Sequence, residues 1–122
     1  MADSEETSIE INDSILKSVR KLLGMNESYT AFDNDLIINI NSVFVILNQL
    51  GVGPDDVFAI TGEEELWSDF LEDDETNMNF VKSYMHQKIK SWFDPSTSAA
   101  AIESNERVIS ELEFRMMVQA DT

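Results

Sequence analysis

The chain has 122 residues, with 24 Asp and Glu against eight Lys and Arg, a formal net charge of −16 and no Cys. This length suits one compact domain, and the missing Cys excludes disulfide frameworks, thiolate zinc sites and cysteine nucleophiles. The acidic balance disfavours binding to DNA phosphates, which depends on Lys and Arg. The acidic start, MADSEE, lacks the basic and apolar pattern of a secretory signal, so we expect folding in a cytoplasm.

Charge is unevenly placed along the chain. Residues 51–80 contain many Asp and Glu but no Lys or Arg. The basic residues instead cluster in two other segments, at Lys17, Arg20 and Lys21 and at Lys82, Lys88 and Lys90. Complementary patches of this kind let copies of one protein meet head to tail and close a ring. A solvated acidic surface that only keeps the protein soluble explains the same charge.

The N-terminal segment differs from the rest of the chain. Residues 1–12 are acidic, with only Ile9 and Ile11 to bury, and predict a flexible acidic arm. Residues 13–122 carry helical apolar spacing and predict a single all-α domain, a small bundle of about four helices.

The first helix is predicted to begin after Asp13 as N-cap and to stop at Gly24. Its apolar residues recur at helical spacing, which leaves three basic residues on the opposite, solvent-facing side: Lys17, Arg20 and Lys21.

A run without charge from Leu36 to Pro54 has the length of a membrane span. Its Asn, Ser and Gln side chains would be unsatisfied in lipid, so a buried central helix is the better prediction. Thr30 or Asp33 is expected to cap it and Gly51 to end it. The predicted core stripe comprises Leu36, Ile40, Val43, Leu47 and Leu50.

Three further elements follow. A short extended or hairpin link is expected around residues 52–62, then a short helix capped by Thr61 with Glu64 as its capping box. Its predicted buried residues are Leu66, Trp67, Phe70 and Leu71. A long helix is predicted over residues 77–93, with its stripe at Met78, Val81, Met85, Ile89 and Trp92. A protruding last helix is predicted from a Ser96 or Ser98 cap toward Val118, with its stripe at Ile102, Ile109, Leu112 and Met116.

No catalytic, cofactor or metal motif is present in the sequence. His86 is the single histidine, so a nucleophilic triad or a zinc site has too few candidate groups. The glycines of Gly51-Val-Gly-Pro lack the third glycine of a dinucleotide fingerprint. The acidic stretch after Asp73 has Met78 where a calcium loop needs Gly. We therefore expect no enzyme activity, no cofactor and no metal.

Two surfaces stand out instead. Lys82, His86 and Lys90 are spaced to form a basic row on one helix face, which predicts a contact with acidic residues of a neighbouring copy, or else an ordinary solvated face. The last helical turn is apolar on nearly all sides, which predicts a protein partner. A frayed tail with a few apolar side chains is the simpler interpretation of the same turn.

Several segments together resemble the head-tail connector, or adaptor, proteins of tailed bacteriophages. The resemblance covers residues 13–119, and Ser96 stands where a second Pro is expected after Pro95. The segments are Ser14-Ile-Leu, Lys21-Leu-Leu-Gly, Ile40-Asn-Ser-Val-Phe, Ile46-Leu-Asn-Gln-Leu-Gly-Val-Gly-Pro, Trp67-Ser-Asp-Phe, Phe93-Asp-Pro, Glu111-Leu-Glu-Phe-Arg and Val118-Gln. They are structural rather than catalytic, and their order and spacing carry the likeness.

The resemblance implies a virion protein made in the host cytoplasm, without membrane contact, that forms a ring, generally twelvefold, below the portal protein. The ring extends the DNA channel toward a tail or stopper protein, and DNA passes without specific binding. Candidate portal-binding residues are Phe114, Arg115, Met116, Met117 and Val118. Candidate channel-lining residues, which would repel phosphates, are Glu63, Glu64, Glu65, Asp73, Asp74 and Glu75.

A second function class fits the size and the charge equally well. A small acidic protein can act as a DNA mimic or regulator that binds a basic host enzyme. It would be a soluble monomer or dimer, whereas a connector is found in the virion.

Overall fold

The computed structural model describes residues 13–26, 28–71 and 75–120, and the side chains of residues 75 and 76 are not described. Within these ranges the chain forms helices and no β-strand, which confirms the all-α prediction. The predicted acidic arm, residues 1–12, lies outside them. The helices are α1, Ile15–Leu22; α2, Asp33–Gln49; α3, Trp67–Leu71; α4, Glu75–Phe93; and α5, Ala99–Ala120.

The three long helices, α2, α4 and α5, run alternately up and down. Phe32, just before α2, packs against Phe93 at the end of α4, with ring centroids 5.2 Å apart. At the opposite end Gly51, after α2, lies beside Ala120 at the end of α5. We call these the aromatic end and the C-terminal end of the bundle. Helix α1 packs on both α2 and α4.

The N-terminus of α1 differs by one residue from the prediction. Ser14, rather than Asp13, is the N-cap, and its hydroxyl accepts a 3.3 Å hydrogen bond from the Lys17 N–H. The Asp13 carbonyl instead accepts from the N–H of Trp67, 3.2 Å away. The chain before α1 is thereby tied to the start of α3.

The predicted stop at Gly24 is confirmed. Gly24 has φ +84°, a conformation that glycine adopts without a Cβ penalty. Its N–H donates to the Lys21 carbonyl and the Met25 N–H donates to the Arg20 carbonyl, the paired bonds of a Schellman motif.

Arg20 corrects the predicted solvent face of α1. Its side chain is fully buried and forms a bidentate pair with Asp33, with Nε–Oδ1 at 3.0 Å and Nη2–Oδ2 at 2.6 Å. Its Nη1 lies 2.7 Å from a Glu63 carboxylate oxygen. Burial alone would lower the pKa of Arg20, but the hydrogen bonds and charges of Asp33 and Glu63 outweigh it and raise that pKa.

Helix α2 is the central element that the apolar run predicted. Leu36, Ile40, Val43 and Leu47 are buried, whereas Leu50 is only half-buried. The cap prediction is wrong: Phe32 holds the N-cap position without a side-chain bond, and Asp33 is the first helical residue. Gly51, at φ +85°, ends the helix as expected. Among the described residues no helix is both long and apolar enough to cross a bilayer.

The segment after α2 is an extended link and forms no hairpin. Asn41 holds its middle, because the amide of Asn41 donates to the Ile60 carbonyl at 3.0 Å and accepts from the Ile60 N–H at 2.8 Å. Asn48 Nδ2 donates to the carbonyls of Pro54 and Asp55. The polar residues that argued against a membrane span therefore fasten this link along α2.

A cluster of aromatic rings lies beneath the link. Phe44, Phe58 and Phe70 pack with ring centroids 4.7 to 5.5 Å apart. Gly53 has φ +96°, and a Cβ there would lie 2.7 Å from Cζ of Phe70. Glycine is required here on both counts, since a side chain would be strained and would displace the ring.

The capping box predicted at Thr61 and Glu64 is wrong. Glu65 provides the local acceptor: its carboxylate takes 2.9 Å hydrogen bonds from the N–H and the hydroxyl of Thr61. Burial acts to raise the pKa of Glu65, but these bonds outweigh it and lower that pKa. Helix α3 begins only at Trp67, and Asp69 accepts from the Leu66 N–H at 2.8 Å. Trp67 and Phe70 are buried as predicted.

Helix α4 has the predicted extent within two residues, and most of its stripe is buried. Trp92 is the exception: it is 43% exposed and was predicted to lie in the core. Tyr84 takes a core position instead, and its hydroxyl donates a 2.6 Å hydrogen bond to Glu113 of α5.

Helix α5 starts after Ser98, whose hydroxyl accepts from the Ala101 N–H at 3.3 Å, so this cap prediction is confirmed. Ile109 and Met116 are buried, whereas Ile102 at the start of the predicted stripe is exposed. At a rise of 1.5 Å per residue, the 22 residues of α5 extend about 33 Å, along most of the bundle.

The buried Arg20 pair gives a test of the fold. Replacing Arg20 with Met leaves Asp33 and Glu63 without their cation, and we expect the free energy of unfolding to fall by about 3 kcal/mol. This value is at the low end for a buried pair, because both carboxylates keep part of their surface in water. Urea unfolding followed by circular dichroism measures it.

Arg107→Met is the matched control, because Arg107 is exposed on α5. We expect that change to stay within about 0.5 kcal/mol of the parent. Equal effects of the two substitutions would contradict the structural role of Arg20.

Candidate interaction surfaces

An exposed apolar surface lies at the C-terminal end of the bundle. Phe114 is 61% exposed, and Met117 and Val118 are each 47% exposed. Val118 borders two shallow recesses, one formed with Leu50 and Gly51, directly after α2, and one formed with Phe80 and Phe114. We define the C-terminal apolar surface by Leu50, Phe80, Phe114, Met117 and Val118.

Two of the residues predicted to bind the portal have other contacts. Met116 is fully buried and belongs to the core, so it offers no surface to a partner in this structure. Arg115 contacts one carboxylate oxygen of Glu111, one turn earlier, through Nη2 at 2.8 Å and Nε at 2.9 Å, which holds it along the helix. The exposed part of the prediction is therefore Phe114, Met117 and Val118, with Arg115 beside them.

Leu50 and Phe80 were not predicted as surface residues. Leu50, directly after α2, and Phe80, in α4, both continue the apolar spacing of the residues before them. That spacing predicts core positions for both. Their exposure depends on where α5 ends, since the last turn of α5 covers each of them only in part.

The predicted basic row does not form one open surface. The Lys82 ammonium lies 5.9 Å from the centre of the Trp67 ring, and Lys90 lies 4.0 Å from Asp94. His86 contacts the Leu22 carbonyl of α1. Burial, with the nearby Lys90 charge as a second cause, lowers the pKa of His86.

The predicted channel-lining residues also divide into groups. Glu63 binds Arg20 and Glu65 binds Thr61, so both serve the fold. Glu64 is exposed between them. Asp73 and Asp74 lie outside the described residues, and Glu75 is the first residue of α4.

The aromatic end carries a second exposed apolar surface. Tyr29, Phe32 and Trp92 each have about two fifths to half of their surface exposed. Tyr29 and Phe32 make an edge-to-face contact at 5.9 Å, and Phe32 continues this contact to Phe93. Aromatic side chains that remain exposed together are typical of protein-binding surfaces.

Groups that could perform chemistry are not brought together in the described part of the chain. No three of its His, Asp or Glu residues are placed to hold a metal ion. The strongly perturbed phenol, Tyr84, has its pKa raised by burial and by Glu113, and it lies in the core between α4 and α5.

A helical bundle with an apolar surface at each end has the form of a protein that joins other proteins. Residues 15–122 match the model of the phage connector protein family, and the chain belongs to that family. This confirms the resemblance found in the sequence and identifies a structural component of the virion of a kind that is generally not enzymatic. Neither the curated proteins nor the solved structures include a match.

His86 gives a pH test of the contact between α1 and α4. Its pKa is lowered from 6.5 in the folded chain, so below that pH the unfolded chain binds a proton that the folded chain does not. Stability attributable to His86 is therefore lost as the pH falls through 6.5 toward the folded pKa. His86→Gln should remove this part of the pH dependence.

Urea unfolding of both proteins at about pH 7.5 and about pH 5.5 measures the difference, because the carboxylates titrate equally in both. Parallel losses of stability in the two proteins would contradict a half-buried His86 whose pKa is lowered by folding.

Proposed function

We propose that the chain forms a ring below the portal protein of a tailed phage, generally of twelve copies, and extends the DNA channel toward the tail. The C-terminal apolar surface is the observation that carries this proposal. It lies at one end of a rigid bundle, where a protein partner can cover Phe114, Met117 and Val118.

The portal contact rests on the shape of this surface. Phe114 and Val118 are one turn apart on the outer side of α5, and recesses on either side of Val118 leave room for partner side chains. Apolar residues in such recesses are the usual anchors of an interface. Arg115, held by Glu111, sits at the edge of the contact.

The channel role rests on charge. A lumen with acidic side chains repels DNA phosphates, so the genome slides without being held. Glu64 is the exposed candidate among the described residues, with Asp73, Asp74 and Glu75 following in the sequence. Glu63 and Glu65 contribute charge while they stabilise the fold.

Contacts between neighbouring copies are proposed for the side of α4 that carries Lys82, His86 and Lys90. Lys90 is exposed, and its pair with Asp94 at 4.0 Å is loose enough to be exchanged for a carboxylate of the next copy. Lys82 contacts the Trp67 ring and His86 contacts the Leu22 carbonyl, so both residues hold this side of α4 against its neighbouring helices.

The aromatic end is the surface that the proposal leaves for a tail or stopper protein. It lies at the other end of the bundle from the portal contact, about the length of α5 away. Tyr29, Phe32 and Trp92 would be the anchors there.

The alternative, an acidic DNA mimic or regulator that binds a basic host enzyme, has the size and the net charge in its favour. Apolar surfaces at both ends are not explained by a phosphate mimic, and the family match favours the connector.

Phe114→Ser combined with Val118→Ser tests the portal contact. Loss of both anchors should weaken binding to the portal ring by about 100-fold or more, because residues of this kind dominate an interface. Sedimentation of the full-length variant with purified portal rings, followed by electron microscopy, measures it. A truncation would be less clean because Met116, in the same turn, is part of the core.

Val108→Ser is the control, because Val108 is exposed on α5 outside the C-terminal apolar surface. We expect it to bind portal rings normally. Normal binding by the Phe114/Val118 double variant would refute the assignment of this surface.

Glu64→Lys tests the channel role. The change adds positive charge to an exposed position without touching the Arg20 pair, and a lumen position would then hold DNA and slow its exit. Phage carrying the variant should eject DNA more slowly, with the defect relieved by high salt. Glu103→Lys, on an exposed position of α5, is the control. Unchanged ejection kinetics would place Glu64 outside the channel.

A further inference from the structure

Helix α1 carries two basic residues that form no ion pair with the acidic residues of the described ranges. Lys17 and Lys21 are one turn apart on the side of α1 away from the core, Lys17 exposed and Lys21 half-buried. Within the described ranges, neither ammonium lies within 4.0 Å of a carboxylate. In a chain with 24 acidic and eight basic residues, intramolecular partners would be plentiful. We call this pair the α1 basic face.

The α1 basic face is held firmly on the bundle. The Trp67 indole N–H donates a 3.0 Å hydrogen bond to the Ser18 hydroxyl, between the two lysines in sequence. His86 contacts the carbonyl of Leu22, directly after Lys21. Helix α1 thus lies beside α4, and a partner would meet the α1 basic face on a rigid, ordered surface.

A complementary acidic surface exists elsewhere on the same molecule. Asp55 and Asp56 are both exposed in the turn that follows Pro54. Asn48 fixes this turn by donating to the carbonyls of Pro54 and Asp55 at 3.3 and 3.1 Å. The backbone bonds hold the turn on α2 and leave both carboxylates facing solvent. No ion pair within the described residues involves either of them.

We propose that the α1 basic face of one copy docks on the Asp55–Asp56 turn of a second copy of this chain. The two surfaces differ, so the contact is head to tail, the kind that generates a closed ring when the rotation closes. The proposal rests on the proposed ring and names its lateral contact. It assigns the basic side of the lateral contact mainly to α1 rather than to the α4 row, because Lys82 and His86 of that row have contacts within the chain.

Charge explains why a pair of lysines suffices. Copies with a net charge of −16 repel one another, but at physiological salt this repulsion is screened beyond about 8 Å. Close opposite charges keep their attraction and fix the orientation of the partners. A like-charged neighbour is therefore tolerated only in the register that brings these residues together.

Zero-length carbodiimide cross-linking tests the contact, because it joins an ammonium to a carboxylate only when they touch. Full-length protein, half of it labelled with ¹⁵N, is assembled on portal rings and analysed by mass spectrometry. Mixed-isotope links from Lys17 or Lys21 to Asp55 or Asp56 are expected. Assembled rings that lack these links would overturn the proposal.

Charge reversal gives the second test. Lys17→Glu with Lys21→Glu, and Asp55→Lys with Asp56→Lys, should each weaken lateral association about tenfold or more. The four changes in one chain restore the parental net charge and should recover assembly. Glu103→Lys with Glu106→Lys, exposed on α5, matches the acidic reversal in charge and should assemble normally. Circular dichroism confirms folding of each variant.

The outcomes separate this contact from the proposed function. Reversed variants that bind the portal singly, but do not close a ring, support the α1 contact. Variants that assemble like the parent, or an acidic reversal no worse than its control, overturn it and leave the connector role intact. Failure of the parent to bind portal rings at all would overturn both.

Discussion

The buried guanidinium of Arg20 is the constraint on which the rest of the fold depends. Asp33 opens α2 and Glu63 ends the link, so one side chain joins three segments distant in sequence. A buried charge without partners is costly. The link must therefore pass close enough to α1 for Glu63 to pair with Arg20. Just beyond Glu63, the Ile15 N–H donates to the Glu65 carbonyl at 3.0 Å, and Trp67 follows into the core.

The sequence predicted the helices well because each long helix carries its own apolar period. Errors arose where the position of a residue depends on a contact with another segment of the chain. Arg20 looked solvent-facing since periodicity treats α1 alone, and neither of its partners lies within ten residues of it. Trp92 fits the α4 stripe by spacing, but it lines an open recess beside Ile102 and Ile109 of α5, where α5 covers it only in part. Thr61 found an acceptor in Glu65 because the link bends before the short helix begins.

The interaction surfaces were predictable to a different degree. An all-round apolar turn indicates exposure whatever the neighbours, so Phe114, Met117 and Val118 followed from the sequence. Met116 was named with them as a portal-binding candidate, although its spacing with Ile109 and Leu112 also placed it on the core stripe of α5, and the core position is the one it takes. The exposure of Leu50 and Phe80 depends on where α5 ends beside them, and apolar spacing along a single helix does not predict that. Lys82, His86 and Lys90 lie on one helix as predicted, but Lys82 contacts the Trp67 ring and His86 contacts the Leu22 carbonyl.

The division of surfaces follows from the shape of the bundle. Apolar surfaces lie at its two ends, where helices finish and no further turn covers the last side chains, while the acidic residues are spread over the link and the sides. Apolar ends suit partners stacked along an axis, and acidic sides suit a wall beside DNA. In the ring that we propose, acidic sides also repel the neighbouring copies, and we therefore assign the lateral contact to Lys17 and Lys21 of α1. Arg20 is the basic residue of α1 that is buried in the bundle. Its ion pairs fix the position of α1 and therefore the positions of Lys17 and Lys21.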